Sequence, residues 1–494
     1  MTTPPAADQP SAAEQPVPSR GGSGTAAALV AAGILLSRLL GLVRQFFMAR
    51  YLGAGATADA FAAAFKIPNI LQNIMGEGGL SASFIPVYSS LLGRDEPEEA
   101  ARVAGAVAGL LALASAAFVV AGVLLTPTLV PLIAPGFEGE KRELTIHLTR
   151  ILFPGAGLFV LSAWCIGVLN SHRRFFMPYV AGVAWNVAML AALLWFGPRE
   201  TLPRIAEALA WASVLGAGMQ FVVQLPTVFR VMGRLRVSLS TRSAHVRQVM
   251  RNFGPVAVTR GAVQISGYID QMIASFLPNG AVVMIAYAST IYVLPVSLFG
   301  MAVSAAELPE LSRGAAPGRE ALAALRARVN TGLRRIAYFV VPSAVAFVLL
   351  GNVIIDALLR SGRFGATEAM FTWGILAGSS IGLLATTLAR LYSSTFYAFN
   401  DTKTPFRYAL LRIAISLGLG AAFALRGPHL LGIDGRWGAA GLTLASSIAG
   451  WVEVTLLHRR IDARLEGRTG IPAGLGARLW GAAVIAGMVA IGAE

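Results

Sequence analysis

Cysteine is nearly absent from this 494-residue chain, and the single Cys165 lies in an apolar run. That excludes an internal disulfide and argues against thiol chemistry. Histidine is scarce as well: five residues, scattered and without a ligand-spaced pair, which argues against a metal site. Charged residues make up only 13% of the chain, and acidic ones number 25 against 40 basic. There is no G-x-x-x-x-G-K-[ST] run, so no phosphate-binding loop of that type is expected. The first residues lack a positive segment followed by a short apolar one, so no cleavable signal peptide is expected.

What is abundant is apolar. The chain is 55% hydrophobic with a mean hydropathy of +0.65, which places it among integral membrane proteins. Residues 1 to about 25 are rich in Pro, Ala, Ser and Gly and are expected to form a disordered cytoplasmic tail. Beyond them come thirteen apolar segments, at about 26–51, 57–92, 100–133, 144–170, 175–197, 203–230, 247–278, 281–311, 330–358, 367–398, 406–426, 436–458 and 475–492. The expectation is an all-α polytopic membrane protein. A net charge of +15 would point to nucleic acid in a soluble protein, but here the charges sit in short loops, so no nucleic-acid partner is expected. With the N-terminus inside, Arg94, Arg102, Arg173, Arg174, Arg234, Arg326, Arg459 and Arg460 fall in cytoplasmic loops. Arg199, Arg204, Arg360 and Arg363 fall on the other side. This bias satisfies the positive-inside rule for a multi-pass membrane protein with a cytoplasmic N-terminus and an odd number of spans.

The chain also repeats itself. Gly53 and Gly280, Pro68 and Pro295, Phe137 and Phe364, and Pro178 and Pro405 are each 227 residues apart. Six segments per repeat give both halves the same orientation, with a pseudo-two-fold axis along the membrane normal. The expected domains are an N-terminal lobe over 26–231, a C-terminal lobe over 232–458, and a loop with a thirteenth span over 459–494. Two six-helix lobes would then enclose a central cavity.

Ionisable residues inside the apolar segments mark the candidate site, because charge at that depth is costly and faces a cavity, a partner charge or a substrate. Arg38 and Arg44 on the first segment are six residues apart, so they point about 120° from one another and could flank one cavity. Asp59, Lys66 and Glu77 on the second are spaced by seven and eleven residues, a single polar stripe with Asp59 nearest the periplasm. Arg260 on the seventh and Arg390 on the tenth complete the set. Asp270 stands ten residues from Arg260, about 15 Å along a helix and too far for direct contact. Arg412 is expected to pack or snorkel. Asp401 to Pro405 has the character of a polar turn that starts the next helix.

The stretch Ser37-Arg38, Gly41, Arg44, Gly53-Ala54-Gly55, Asp59-Ala60-Phe61, Phe65-Lys66, Pro68-Asn69, Glu77-Gly78, Ser81, Phe84 and Pro86 resembles the opening of the MurJ (MviN) family. These are bacterial lipid II flippases of the multidrug/oligosaccharidyl-lipid/polysaccharide exporter superfamily. Further similar stretches are Ala134-Pro135-Gly136-Phe137, Leu169-Asn170 with Arg174-Phe175, Gln264-Ile265-Ser266, Leu308-Pro309, and Phe396-Tyr397-Ala398 before Asp401. The resemblance implies movement of lipid II, an undecaprenyl-pyrophosphate-linked peptidoglycan precursor, to the periplasmic leaflet by alternating access. It implies a transporter without covalent catalysis or cofactor. Its partners would be lipid II or a similar polyprenyl-pyrophosphate-linked sugar, membrane lipids and cell-wall synthesis proteins. The arginines would then hold a pyrophosphate, since guanidinium is a planar, multidentate and permanently charged donor.

The chain departs from the family pattern in places. Ala288-Ser289-Thr290-Ile291 stands where the family usually carries an arginine. Gln45 replaces an acidic residue that often follows the first-segment arginine, and Gln72 stands where many relatives are basic. Family members usually have fourteen spans, and this chain ends within or just after a thirteenth. Three alternatives therefore stay open: a flippase for another lipid-linked oligosaccharide, a drug antiporter, or a membrane scaffold that no longer transports.

Overall fold

A computed structural model describes residues 23–174, 176–233, 236–296, 319–399 and 401–492. The expected N-terminal tail and the Leu308-Pro309 stretch lie outside these. The described chain is helical: α1 (Ser23–Leu52), α2 (Ala56–Met75), α3 (Glu77–Ser83), α4 (Ile85–Gly93), α5 (Pro97–Ile133), α6 (Gly139–Ser171), α7 (Phe176–Phe196), α8 (Leu202–Met232) and α9 (Ala244–Ser275). There follow α10 (Ala281–Pro295), α11 (Arg319–Leu349), α12 (Gly351–Leu359), α13 (Ala366–Ile381), α14 (Leu383–Ala398), α15 (Lys403–Ala421), α16 (Gly427–Leu431), α17 (Gly438–Arg464) and α18 (Ala473–Gly492).

All thirteen expected segments carry helix, but not all as single rods. The second is broken at Gly76, whose backbone (φ −81°, ψ −131°) leaves the helix, and again at Phe84. The tenth is interrupted at Gly382, where a Cβ would lie 2.7 Å from the backbone of Ser447. Among the described residues, nine helical stretches are long and apolar enough to span a bilayer. Helices α1, α2, α9 and α10 are not among them, and these are spans one, two, seven and eight.

The repeat is present at the level of helix ends. Gly139–Ser171 shifted by 227 residues becomes 366–398, the two outer limits of α13 and α14. Gly53 and Gly280 both take left-handed backbone (φ 66° and 101°) just before α2 and α10. Pro68 and Pro295 lie inside those two helices, and Phe137 and Phe364 are both fully buried after a helix pair. In the first lobe α6 packs on α2, α5 and α8; in the second α17 packs on α13, α14 and α15, and α18 lies against α11. Close approach depends on small side chains, as expected where lipid removes the hydrophobic drive between helices: Ala49, Ala60, Ala63, Ala206 and Ala210 are fully buried.

Contacts among the connecting segments gather at the helix ends. At one end Tyr88 meets His172 (2.9 Å), Ser243 donates to Glu99 (2.9 Å), and the Ser238 N–H donates to the Gly105 carbonyl. Asp401 closes the start of α15, as a structural turn should. Its carboxylate accepts the Thr404 N–H (3.0 Å), the Thr404 hydroxyl (2.9 Å) and Arg464 (2.9 Å). The Thr404 N–H leads the causes that hold the Asp401 carboxyl below the usual carboxylate range. At the other end lie Gly53, Lys141, Gly280 and Arg363.

Two outcomes follow. A Cβ on Gly280 would stand 2.4 Å from the Ala54 carbonyl oxygen, on left-handed backbone. Gly280→Ala should therefore cost more than about 1 kcal/mol, seen as a lowered thermal midpoint in detergent, whereas Gly93→Ala, with nothing within 4 Å, should be nearly silent. For Asp401, whose folded pKa is depressed, the stabilisation is present above the unfolded pKa of about 4 and is lost as pH falls through the folded value. Asp401→Asn should thus lower the midpoint at pH 7 and by progressively less below about pH 4.

Candidate functional site between the lobes

Asp59 is not a cavity wall. It is 1% exposed and joins the lobes at one end. Its Oδ1 accepts the Val283 N–H (2.9 Å), and its Oδ2 accepts the Gly280 N–H and the Lys141 ammonium (both 2.8 Å). Two of these donors are first-turn amides of α10, which no helical carbonyl can satisfy, so a carboxylate from α2 caps a helix of the other lobe. Lys141 also donates to Asn279 (3.0 Å) and sits 3.9 Å over the Phe137 ring. Around this ion pair, Tyr287 donates to the Gly53 carbonyl, the Arg363 N–H to the Arg50 carbonyl, and Arg50 to Ser361. The end is sealed. The polar stripe expected on α2 is therefore broken: Asp59 turns into this seal because α10 offers it unpaired amides.

Lys66, two turns further, does face the other lobe. It lies within electrostatic range of Asp270 on α9, and its carbonyl accepts the Tyr268 hydroxyl (3.2 Å). Asp270 also feels Arg412 of α15, which pairs with Glu453 of α17 at 3.4 Å. Arg412 thus joins a chain of alternating charge across four helices instead of snorkelling. Arg390 is exposed on α14, within electrostatic range of Tyr292 as is Arg412. Glu77 opens α3 and Arg260 lies within α9, but their side chains lie outside the described residues.

On α1, Leu36, Leu39 and Val43 form an exposed stripe, and the opposite face buries Gln45, Met48 and Ala49. Arg44 borders the buried face, with its guanidinium carbon 4.4 Å from the centre of the Trp185 ring. Its Nε is buried and has no hydrogen-bond partner among the described residues. Arg38 is exposed and makes no hydrogen bond or ion pair with the described residues, so the structure does not bring it to Arg44. Two of the departures from the family pattern do meet: Gln45 donates to the Thr290 hydroxyl at 2.9 Å. A neutral pair stands there between α1 and α10.

Sequence reasoning missed Lys141, Trp185, Arg412 and Glu453 as members of this region. For Arg412 and Glu453 a signal was present, since opposite charges at matching depth in neighbouring spans pair when buried. For Lys141 and Trp185 there was none, because a loop lysine and a membrane tryptophan are ordinary.

A two-lobed membrane protein, helical through its described residues, with charges answering one another across the lobes and one end closed by cross-lobe contacts, has the architecture of an alternating-access transporter. The family profile for lipid II flippase MurJ matches residues 48–493, and the chain belongs to that family. It is 34% identical over 440 residues to a probable lipid II flippase MurJ of Rhizobium tropici, covering 87% of this chain and 79% of that one. To the lipid II flippase MurJ of Burkholderia cenocepacia it is 32% identical over 438 residues, covering 87% and 82%. Among solved structures, a lipid II flippase MurJ in an inward closed conformation superposes with a TM-score of 0.76 at 23% identity, over 94% of this chain and 92% of that one. An inward-facing multidrug resistance MATE family transporter of the MOP superfamily gives 0.65 at 17% identity, over 89% and 99%. At those identities the likeness is one of fold.

The seal is directly testable. In a Cys165→Ala background, a cysteine at Ala281, which is 1% exposed beside the Asp59 contacts, should resist a water-soluble thiol reagent. Adding Asp59→Ala, which strands Lys141 and the α10 amides, should make it react. Equal protection with and without Asp59 would mean that other contacts hold this end.

Proposed function

We propose that this chain moves lipid II from the cytoplasmic to the periplasmic leaflet of the bacterial inner membrane by alternating access, supplying cell-wall synthesis. The observation that carries the reading is Arg44: a guanidinium held against Trp185 in the first lobe, with a buried Nε that has no partner among the described residues. A pyrophosphate is the kind of group that satisfies such a donor. No bond is made or broken in this cycle; the work is binding, shielding and reorientation.

The sealed end carries Arg199, Arg204, Arg360 and Arg363, and the more basic set of loops lies at the other end, so by the positive-inside rule the seal is periplasmic and the N-terminus cytoplasmic. In this conformation lipid II enters from the cytoplasmic side. The lobes over residues 26–231 and 232–458 then rock against one another, breaking the Asp59 cap and the Lys66–Asp270 attraction. An inside-negative potential favours outward movement of the anionic headgroup by about 2.3 kcal/mol per charge per 100 mV. Arg38, Arg260 and Arg390 serve as further cationic stations, and Glu77 with Lys66 sets the local charge.

Rescue of a flippase-depleted bacterium tests the reading; failure to rescue, with the protein inserted at normal level, would overturn it. Within a rescuing protein, Arg44→Ala should reduce lipid II flipping in vesicles by about two orders of magnitude, the scale for stranding a paired charge. Arg44→Lys should restore part of it, because charge remains but the fork is lost. Arg38→Ala should show the same direction.

A further inference from the structure

One buried polar side chain at the lobe boundary is answered by no described residue. Gln271 of α9 is 2% exposed, and both its Oε1 and its Nε2 are buried without a hydrogen-bond partner among the described residues. The other buried carboxamides are better placed. Those of Gln45, Asn186 and Gln224 each donate through their nitrogen, to Thr290, to the Gly182 carbonyl and to Ser162. A carboxamide carries two donors and an acceptor oxygen, and leaving it dry and unpaired shifts an equilibrium against that state by roughly five- to a hundredfold.

The place of Gln271 on α9 ties that cost to the sealed conformation. Tyr268 and Ser275 both reach the first lobe: the Tyr268 hydroxyl donates to the Lys66 carbonyl (3.2 Å), and the Ser275 hydroxyl accepts the Gly136 N–H (3.0 Å). Gln271 comes three residues after one and four before the other. It is within about 60° of both around the helix, so it shares the face that meets the first lobe. The surroundings there are apolar, since Tyr268 packs against the cluster of Ile67, Val130, Ile133 and Phe153. The turn at Gly136 closes this face at the sealed end. A Cβ on Gly136 would stand 2.4 Å from the Ser275 carbonyl oxygen, so glycine is what lets the first lobe lie against the end of α9.

We propose that Gln271 is a spring set against the Asp59 latch. Sealing the lobes takes the carboxamide out of water and gives it no partner. Parting them at the sealed end returns this face of α9, and the carboxamide with it, to water. The polar contacts at Asp59, Tyr268 and Ser275 draw the lobes together while Gln271 pushes them apart. The two conformations are thereby kept close enough in free energy to exchange. With an apolar group in its place the same latch would hold the sealed conformation more tightly. The inference rests on the alternating-access reading above and adds the residue that drives the sealed end open.

The test uses the full chain in detergent, without lipid II, in the Cys165→Ala background carrying Ala281→Cys. Labelling by a water-soluble thiol reagent then follows the population of the open state. Gln271→Met keeps the length of the side chain and removes both polar ends. Labelling should slow at least about fivefold, and the thermal midpoint should rise. Gln271→Leu, a second apolar replacement, should act in the same direction, whereas Gln271→Ala leaves a void and should lower the midpoint. In vesicles, Gln271→Met should slow lipid II flipping as well. Unchanged or faster labelling in both apolar variants, or a lowered midpoint in both, would overturn the spring, because the carboxamide would then be holding the lobes together. Normal flipping by a slow-labelling variant would overturn its part in the cycle. If labelling shifts as expected but the unaltered protein moves no lipid II, it is the proposed function that fails, and the spring stands.

Discussion

An ionised group in hydrocarbon costs several kcal/mol unless something answers it, and this constraint shapes the interior of the protein. Asp59 is answered by two helix-end amides and a lysine, Glu453 by Arg412, and Asp270 by Lys66 and Arg412. In each case the answer comes from a different helix, and for Asp59 and Lys66 from a different lobe. Charges that would be a burden to a single span become the contacts that order the bundle. They also make the contacts breakable, because each can be exchanged for water or for a substrate group when the lobes part.

The repeat supplies two copies of one helical plan, and function enters where the copies differ. The left-handed glycines before α2 and α10 are equivalent, yet one packs on Arg363 and the other on Ala54, across the lobe boundary in opposite directions. Asp59 has no acidic counterpart, since 227 residues on stands Ala286. A symmetric fold therefore carries an asymmetric latch. The Arg44–Trp185 stack belongs to the first lobe and the Asp270–Arg412–Glu453 cluster to the second, so the lone cation and the paired charges are divided between them.

Departure from the family pattern also has a physical form. Gln45 and Thr290 sit on spans one and eight and hydrogen-bond to each other. A charge lost on one side of such a contact would strand its partner, and the joint presence of two neutral groups avoids that cost. Lys66, Asp270, Arg412 and Glu453 together sum to no net charge, whereas Arg44 has no acidic partner among the described residues.

The sequence by itself determined the membrane class, the helical segments, the two-fold repeat and the family, because hydropathy and spacing are local properties that survive without coordinates. It also marked Arg44, Lys66 and Asp59 as unusual, since charge within an apolar run is visible in one dimension. What each charge does was decided only by the tertiary structure. Asp59 lies on the same α2 face as Lys66 by periodicity, yet α10 presents free amides to one and α9 presents Asp270 to the other. Arg412 resembled a snorkelling arginine until α17 placed Glu453 at 3.4 Å. The contacts of Trp185 with Arg44, Phe65, Phe159 and Ser213 draw on α1, α2, α6, α7 and α8, and no spacing rule links residues 44, 65, 159, 185 and 213. Electrostatic and cavity energies depend on distances between helices, and those distances exist only once the lobes have packed.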